Sequence, residues 1–589
     1  MVRISSKKTY NDLTGGINNV SSVETINATP RRTETPEMVN IEGFMLGGIK
    51  TMNGNTKFGD KQASAVVGGW EYTKNDLRYM VIALATGEIK VYNPVTEVFD
   101  QIYKFSHYSD TVSFCNMNNG VVITNGQDDP IFYEANRHQL LSGTVSTTID
   151  SKDVTGLETK FSSELSHGDT IKIGDNVYYI DKVTDDTHLT LRTNAIVTVA
   201  NSNYYLDEIS ECNAILINEE DNTIHTPIRG TAIQYYNGRL WIGTDNGLFY
   251  SQIGQYNKWD IKYDAGVLYS IYNDTSKING LGLFSDFMLI HKKFNTYALS
   301  CTGDASTITV NPYSNVTCDS QQSWIVSNTK YYVYSRAHMD IYPLVQRTVF
   351  QDKYLGEPIT QKVRNIFQNI READANKIFC VDLPRNRWMC FYMPMVDQLG
   401  SSYCLIFDHQ IKSFWVRKVP QEVTIAFNYD SNIYIGTKDG LVLKEHSGST
   451  FNGEPIKAYY KSPWFDWSDG YTHSFSEFSI EIANEYNNNF YIRSYKDGSS
   501  PYEDRIIDSD KLTGDALVWD GIEGADLPNN DTLWDKDKWV TGTFEHIRML
   551  LPNNVFDKFQ LEIGTNSEGQ AFAIYGYGFS RIETDEAPW

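Results

Sequence analysis

Asn237-Gly-Arg-Leu-Trp-Ile-Gly-Thr-Asp-Asn-Gly-Leu-Phe-Tyr-Ser251 and Ser431-Asn-Ile-Tyr-Ile-Gly-Thr-Lys-Asp-Gly-Leu-Val-Leu-Lys444 are one pattern written twice, far apart in the chain. Each copy reads as a β-hairpin. A β-branched and aromatic run is followed by an Asn-Gly or Asp-Gly step, expected to supply the positive φ angles of a type I′ turn, and then by a second apolar run. A hairpin that recurs predicts a repeat architecture. Its residues make sheets and turns and carry no recurring acid–base or nucleophile set, which points to a scaffold or binding surface rather than a conventional enzyme.

Used as a ruler, the pair reveals looser copies: Tyr79 to Tyr92 turning at Thr86-Gly87, Val121 to Tyr133 near Gly126 to Asp129, and Phe287 to Leu299 near Lys293 to Asn295. Two more run from Tyr331 to Leu344, turning near Arg336 to Met339, and from Ile378 to Tyr392, turning at Arg385-Asn386. The turns recur at roughly 40–55 residues, about one four-stranded propeller blade, so an all-β propeller of six or seven blades is expected. The interval from Gly126 to Gly247 is too long for one blade. Its excess, residues 142–206, alternates in short strands and predicts a small inserted β-barrel. After Gly453, the runs at Ile456, Phe475, Phe490, Phe559 and Phe572 are spaced as strands of a C-terminal sandwich. The division is an N-terminal arm (1–40), propeller (41–141), barrel (142–206), propeller (207–452) and sandwich (453–589). One amphipathic helix is expected from Ile359 to Ala375, with Val363, Ile366, Phe367 and Ile370 on one face covering a blade edge.

At 589 residues, several domains are required. The 38 Tyr, 28 Phe and 12 Trp supply ample core and β propensity. With 74 acidic and 51 basic residues the formal net charge is −23, which disfavours stable wrapping of DNA or an anionic membrane and is compatible with a surface past which DNA slides. Lys7-Lys8, Arg31-Arg32 and Lys292-Lys293 are too short for a phosphate-binding stripe and read as solvated charge. The seven cysteines form no Cys-x-x-Cys pair and read as small apolar strand residues of a protein folding in a reducing cytoplasm. Neither a signal peptide nor a membrane-spanning segment is expected.

No motif supplies catalytic chemistry. The 11 histidines include no His-Glu-x-x-His, and neither a Gly-x-Ser-x-Gly elbow nor a phosphate loop occurs. No catalytic, cofactor or metal residue is assigned, and no binding residues are singled out. Asp526, Asn529, Asn530, Asp531, Asp535 and Asp537 could offer oxygen ligands to a hard cation but lack calcium-loop spacing, so an exposed turn around Trp534 and Trp539 is the simpler expectation. Trp464, Phe465 and Trp467 could stack a sugar, although core packing is the commoner use of such a run.

Three stretches resemble the propeller-type tail proteins of short-tailed bacteriophages, variously called tail nozzle, tail tube B or packaged-DNA stabilisation proteins. They are Asp12-Leu-Thr-Gly-Gly-Ile-Asn18 with Pro36-Glu-Met-Val-Asn40 and Gly43; Gly143 to Tyr205, similar to a small β module recurrent in phage tails; and Pro455-Ile-Lys-Ala with Pro463-Trp-Phe-Asp-Trp and Phe559-Gln-Leu-Glu-Ile. The resemblance implies a non-enzymatic structural virion protein of the tail, made in the host cytoplasm. Copies would close into a ring, a homohexamer, contacting tail adaptor or portal-proximal proteins and tail fibres. An acidic bore would hold genomic DNA and release it at ejection without sequence-specific binding. The alternative is a receptor-binding or glycan-recognising tail protein, and a remoter one is a glycan hydrolase.

Overall fold

The computed structural model describes residues 8–21, 32–44, 47–212, 216–217, 224–225, 228–259, 264–344, 356–370, 374, 377–393, 401–466, 471–483, 488–497, 504–508, 544–550 and 556–586. The two repeated hairpins fall in separate antiparallel sheets, and five further sheets of the same kind stand between and before them. Blade 1 comprises Val66–Lys74, Leu77–Leu84, Glu88–Asn93 and Val98–Lys104. Blade 2 has Ser113–Met117, Gly120–Thr124, Ile131–Tyr133 and, after an insertion, Tyr204–Glu211. Blade 3 runs Ala232–Tyr236, Arg239–Thr244, Gly247–Tyr250 and Gly266–Leu268, and blade 4 Ile278–Phe284, Phe287–Lys292, Thr296–Ser300 and Thr309–Ser314. Blade 5 has three strands, Trp324–Ser327, Lys330–Ser335 and Asp340–Leu344; blade 6 has Phe379–Leu383, Trp388–Met393, Ser402–Asp408 and Ser413–Val419. Blade 7 has Val423–Tyr429, Asn432–Thr437 and Val442–Glu445.

The ring closes in two places. Along the axis, Thr424 Oγ1 of blade 7 donates to Val66 O of blade 1 at 2.5 Å, and a Cβ on Gly69 would fall on the Phe427 ring. At the rim, Asn55–Lys57, which precedes blade 1 in the chain, pairs antiparallel with Val442–Glu445 and supplies blade 7's missing strand. Closure therefore joins the two ends of the repeat. A buried cluster locks it: Arg417 and Glu445, both fully buried, pair at 2.6 Å, and Arg417 donates to the Asn53 and Gly54 carbonyls at 2.6 and 2.8 Å while Asn55 Nδ2 donates to Glu445 at 3.0 Å. This charge pair is compensated on every side by hydrogen bonds, the condition under which a buried pair is tolerated.

The repeated Ile-Gly-Thr has a packing cause. Gly243 and Gly436 sit in the second strands of blades 3 and 7, where a Cβ would come within 2.7 Å of Ile278 and 2.8 Å of Val66, residues of the next blade's innermost strand. A bare Cα lets adjacent blades meet. The following Thr244 and Thr437 hydroxyls accept from Asn246 N and Leu441 N at 3.0 Å and shape the turn. The positive φ pairs expected inside each copy lie one turn earlier, at Asn237-Gly238 (49° and 78°) and Asp430-Ser431 (48° and 60°). Gly440 is left-handed at 82°, while Asn246, whose N–H is bonded to the threonine hydroxyl, is not; in that copy the positive φ falls on Gly247 at 149°.

The insertion is a closed barrel with its own core, including Val145, Val154, Phe161, Ile171, Ile180, Leu189 and Tyr204. Gln139–Leu140 and Thr144–Thr147 form one continuous run that pairs with both Tyr204–Glu211 and Asp153–Leu157; His188–Leu191, Asn176–Val183 and Asp169–Ile173 complete the circuit back to Tyr204–Glu211. The sandwich has two sheets. In the first, Ile41–Phe44, Gly48–Thr51, Ala573–Glu586, Tyr471–Ala483 and Phe544–Leu550 lie in that order, with Lys8–Tyr10 also on Ala573–Glu586. In the second, Glu37–Val39, Tyr459–Lys461, Lys558–Gly564, Asn489–Lys496 and Asp504–Asp508 do so, with Phe465–Asp466 on Lys558–Gly564.

Lys8–Tyr10, Glu37–Val39, Ile41–Phe44 and Gly48–Thr51, expected as an arm to residue 40 and propeller from 41, are thus strands of the sandwich. Their partners lie more than 400 residues downstream. The segment also grips blade 6: Asn40, in a left-handed conformation (φ 57°), donates to Val416 O and Lys457 O and accepts from Lys418 N and Met52 N. A Cβ at Gly15 would strike the Thr33 carbonyl at 2.3 Å, and one at Gly43 the Trp415 ring at 2.9 Å, so the glycines permit close passage.

The helix expected over Ile359 to Ala375 is far shorter among the described residues: a 3₁₀ turn Gln361–Val363 leads into Arg364–Phe367. Val363 and Phe367 are buried, and Phe367 stacks on Tyr334 at 5.5 Å. The lead-in takes over backbone pairing, with Gly356 N donating to Pro343 O and Ile359 N to Ile341 O, so the segment does cover the open edge of blade 5.

Candidate functional site

Antiparallel blades fix which loops share a face. Loops joining strands one to two and three to four emerge on one face, here the lower. Loops joining strands two to three, and one blade to the next, emerge on the upper face. The upper face carries Tyr108, Tyr269, Tyr272, Phe294 and Met339, all exposed. The barrel leaves blade 2 between its third and fourth strands, on the lower face, and ends in Ile149 and Ile196, 54% and 63% exposed. Exposed apolar side chains thus stand on both faces, mostly aromatic above and aliphatic at the barrel.

The barrel is fixed to the propeller. Arg137, buried, donates to Ser210 Oγ at 2.8 Å, to Tyr256 OH at 3.2 Å and to the Asp207 carbonyl, so one guanidinium spans blade 2 and blade 3 at the barrel's base. Arg192 forms a bidentate pair with Glu211, 2.7 Å on each arm. Such forks set orientation as well as distance.

The propeller axis holds a cavity of about 780 Å³, lined by the innermost strands of blades 1, 2, 3, 5, 6 and 7. Its upper end is crossed by the residues before blade 5. Gln321 binds Leu281 N and O and Ile233 O, and Gln322 accepts from Cys380 N on blade 6 while its amide reaches Val112 O before blade 2, 3.4 Å away. The expected bore for DNA is therefore not the propeller's own axis. A cavity of this volume matches pockets for small ligands (~300–1,000 Å³), and a glutamine bars it.

The cavity mouth lies on the lower face. Arg78 of blade 1 pairs with Asp430 of blade 7 at 2.8 Å and stands 3.7 Å from Glu71. Asp382 accepts from Ser327 Oγ at 2.6 Å, and Ser327 Oγ lies 2.7 Å from His409 Nε2. Burial pushes the Asp382 carboxyl up and the His409 imidazole down. The single hydroxyl proton is directed to Asp382, which leaves His409 as donor to the serine oxygen. This inverts the order needed to activate a nucleophile, in which histidine accepts the hydroxyl proton.

Among the described residues no group of three His, Cys, Asp or Glu is placed to hold a metal ion. The acidic loop from Asp526 to Asp537 with Trp534 and Trp539 lies outside the described residues, as does Trp467. Phe465 is buried in the sandwich, stacked near Phe559 and Tyr10, so core packing accounts for it. All seven cysteines are free thiols, six of them buried. In two cationic pairs one member departs from the solvated expectation, while Lys293 is exposed as expected. Lys292 is buried against Asp274, 3.6 Å away, and Arg32 holds the Thr14 carbonyl at 2.9 Å together with Ser413. The loops that fold back over them leave no sequence signal.

No protein-family model matches the chain, and no curated protein is significantly similar to it. Solved structures similar to it include BamB from Moraxella catarrhalis (9% identity, 75% of this chain and 97% of that one, TM-score 0.31). The WD40 β-propeller domain of Doa1 is similar at 9% identity (67% and 98%, TM-score 0.33), as is the computationally designed Ika8 protein at 13% (66% and 98%, TM-score 0.32). The propeller rests on the seven sheets and their closure rather than on these likenesses.

Proposed function

We propose that the chain is a structural tail protein of a short-tailed phage, whose copies close head-to-tail into the nozzle that retains packaged DNA and conducts it at ejection. The observation that carries this reading is the presence of exposed apolar side chains on opposite faces, mostly aromatic on the disc and aliphatic on a barrel tied to it through Arg137 and Arg192. A surface that cannot match itself but can match another generates heterologous contacts, and these close into a ring when the rotation allows. Sixfold closure, the neighbouring adaptor and fibres, and location in the virion come from the resemblance of the three sequence stretches. With the propeller axis barred, the DNA path is the space enclosed by the ring of copies. A formal charge of −23 per copy suits that wall, since duplex DNA carries one charge per ~1.7 Å and slides best where nothing binds its phosphates.

Ile196→Asp and Tyr272→Asp each spoil one of these surfaces. Analytical ultracentrifugation should show the unaltered chain reaching a closed ring as concentration rises, and each variant remaining monomeric. Mixed together, the variants retain one intact interface and should stop at dimers. Unaltered chain that stays monomeric at all concentrations, or dimers that form irrespective of either change, would overturn the reading.

A further inference from the structure

We propose that the axial pocket is a saccharide-binding site, with Trp70 as its stacking platform; this goes beyond the ring and does not depend on it. Trp70 lies on the innermost strand of blade 1, and 36% of it is exposed. The ring is held from two sides. Its Nε1 donates to Asn116 Oδ1 at 2.7 Å, and it lies parallel to Phe114, with centroids 6.2 Å apart and 5° between planes. The indole N–H is therefore already satisfied, and what the pocket receives is a rigid aromatic face. Ordering a ligand against a side chain fixed in advance costs little entropy.

The rest of the wall suits a neutral polyhydroxylated ligand. Gln234, Gln322 and Asn428 line the pocket from blades 3, 5 and 7. Each spends one amide N–H on a backbone carbonyl, respectively Tyr235 O, Val112 O and Asp382 O. That leaves a second N–H and an amide oxygen for hydroxyl groups, which both donate and accept. Glu71 and Asp382 add acceptors. A strongly cationic ligand is the poorer fit, because Glu71 already faces Arg78 and Asp382 already accepts a hydrogen bond from Ser327 Oγ. An anion would meet both carboxylates. The pocket is closed above by Gln322 and open below, so it takes the end of a glycan rather than a chain passing through.

The test is a titration of the intact protein, followed by tryptophan fluorescence and calorimetry. The panel is maltotriose, cellotriose, chitotriose, galactose- and mannose-terminated trisaccharides, and spermidine as the cationic probe. At least one saccharide should bind saturably, and Trp70→Ala should weaken it tenfold or more. Val326, 44% exposed on the opposite wall, gives a second variant: Val326→Arg should block the same saccharide by filling the pocket, whether or not Trp70→Ala folds. A flat response to every saccharide would overturn the proposal. So would saccharide binding that survives both substitutions, or saturable binding of spermidine alone.

Discussion

Gly243 and Gly436 illustrate how one missing methyl group sets the spacing between blades. Neither has a left-handed φ, so an alanine would not strain the backbone; it would press on Ile278 or Val66. Overpacking of this sort costs about 1–3 kcal/mol. Gly436→Ala should therefore lower the urea midpoint with an unchanged slope, while Gly174→Ala, where a Cβ meets nothing within 4 Å, tests backbone strain alone at φ 63°. His291 is a second single-residue determinant. It is buried between Thr296 Oγ1 and Tyr331 OH, each 2.8 Å away, and burial pulls its imidazole down to about 3. The folded state keeps it neutral, whereas the unfolded chain protonates it near pH 6.5. Its contribution is thus complete above pH 6.5 and is lost as pH falls toward 3, at up to about 1.4 kcal/mol per pH unit. His446, held well below its ordinary value by burial and by nearby Arg417, acts in the same direction. Unfolding free energies measured from pH 7 to 4.5 should decline, and His291→Gln should flatten that decline relative to the unaltered chain.

The elements divide between those that local sequence specifies and those that distant partners decide. Each of the seven turns read from the sequence falls in a different blade. Six join second to third strands, and Arg385-Asn386 joins the first two strands of blade 6. Hairpins were legible because both strands and the turn lie within 15 residues and their apolar alternation is buried on both blade faces. The strand Asn55–Lys57 was not legible: three residues, two of them exposed, carry no periodicity, and their partner is nearly 400 positions away. The helix was over-read because Val363, Ile366, Phe367 and Ile370 do form an apolar stripe, yet Ile359 and Gly356 are drawn into pairing with blade 5. Closure through Asn55–Lys57 makes a sharp prediction. Glu445→Gln leaves Arg417 as an uncompensated buried cation, and breaking a buried pair in this manner costs about 3–5 kcal/mol. Hydrogen exchange should then quicken first at residues 55–57 and 442–445. Uniform protection, equal to that of the unaltered chain, would show that the latch contributes nothing.

At the scale of the molecule, the propeller is a hub with two attachments, a barrel at blade 2 and a sandwich at blade 6, three blades apart around the ring. Blades 5 to 7 and the sandwich share one continuous apolar core, whereas the barrel has its own, joined through Arg137 and Arg192. The barrel should therefore be separable. Leu141 N and Tyr204 O are 3.2 Å apart, so replacing residues 142–203 with a short glycine bridge should leave the propeller cooperatively folded by calorimetry while removing Ile149 and Ile196, the side chains proposed to meet a neighbouring copy. The sequence disclosed the barrel as an interval too long for a blade. It could not disclose the axial pocket, because Trp70, Gln322 and Asn428 are separated by up to 358 positions and meet only when the ring closes.

The central claim is that closed propellers assemble into a ring around the DNA path. Cryo-electron microscopy of the particle that carries this chain tests it most directly. The account predicts a ring of copies on the tail axis, each seven-bladed disc set beside the lumen and each barrel seated on the upper face of its neighbour. Density for this chain at the tail periphery, as single copies or with a propeller axis coincident with the DNA, would contradict it.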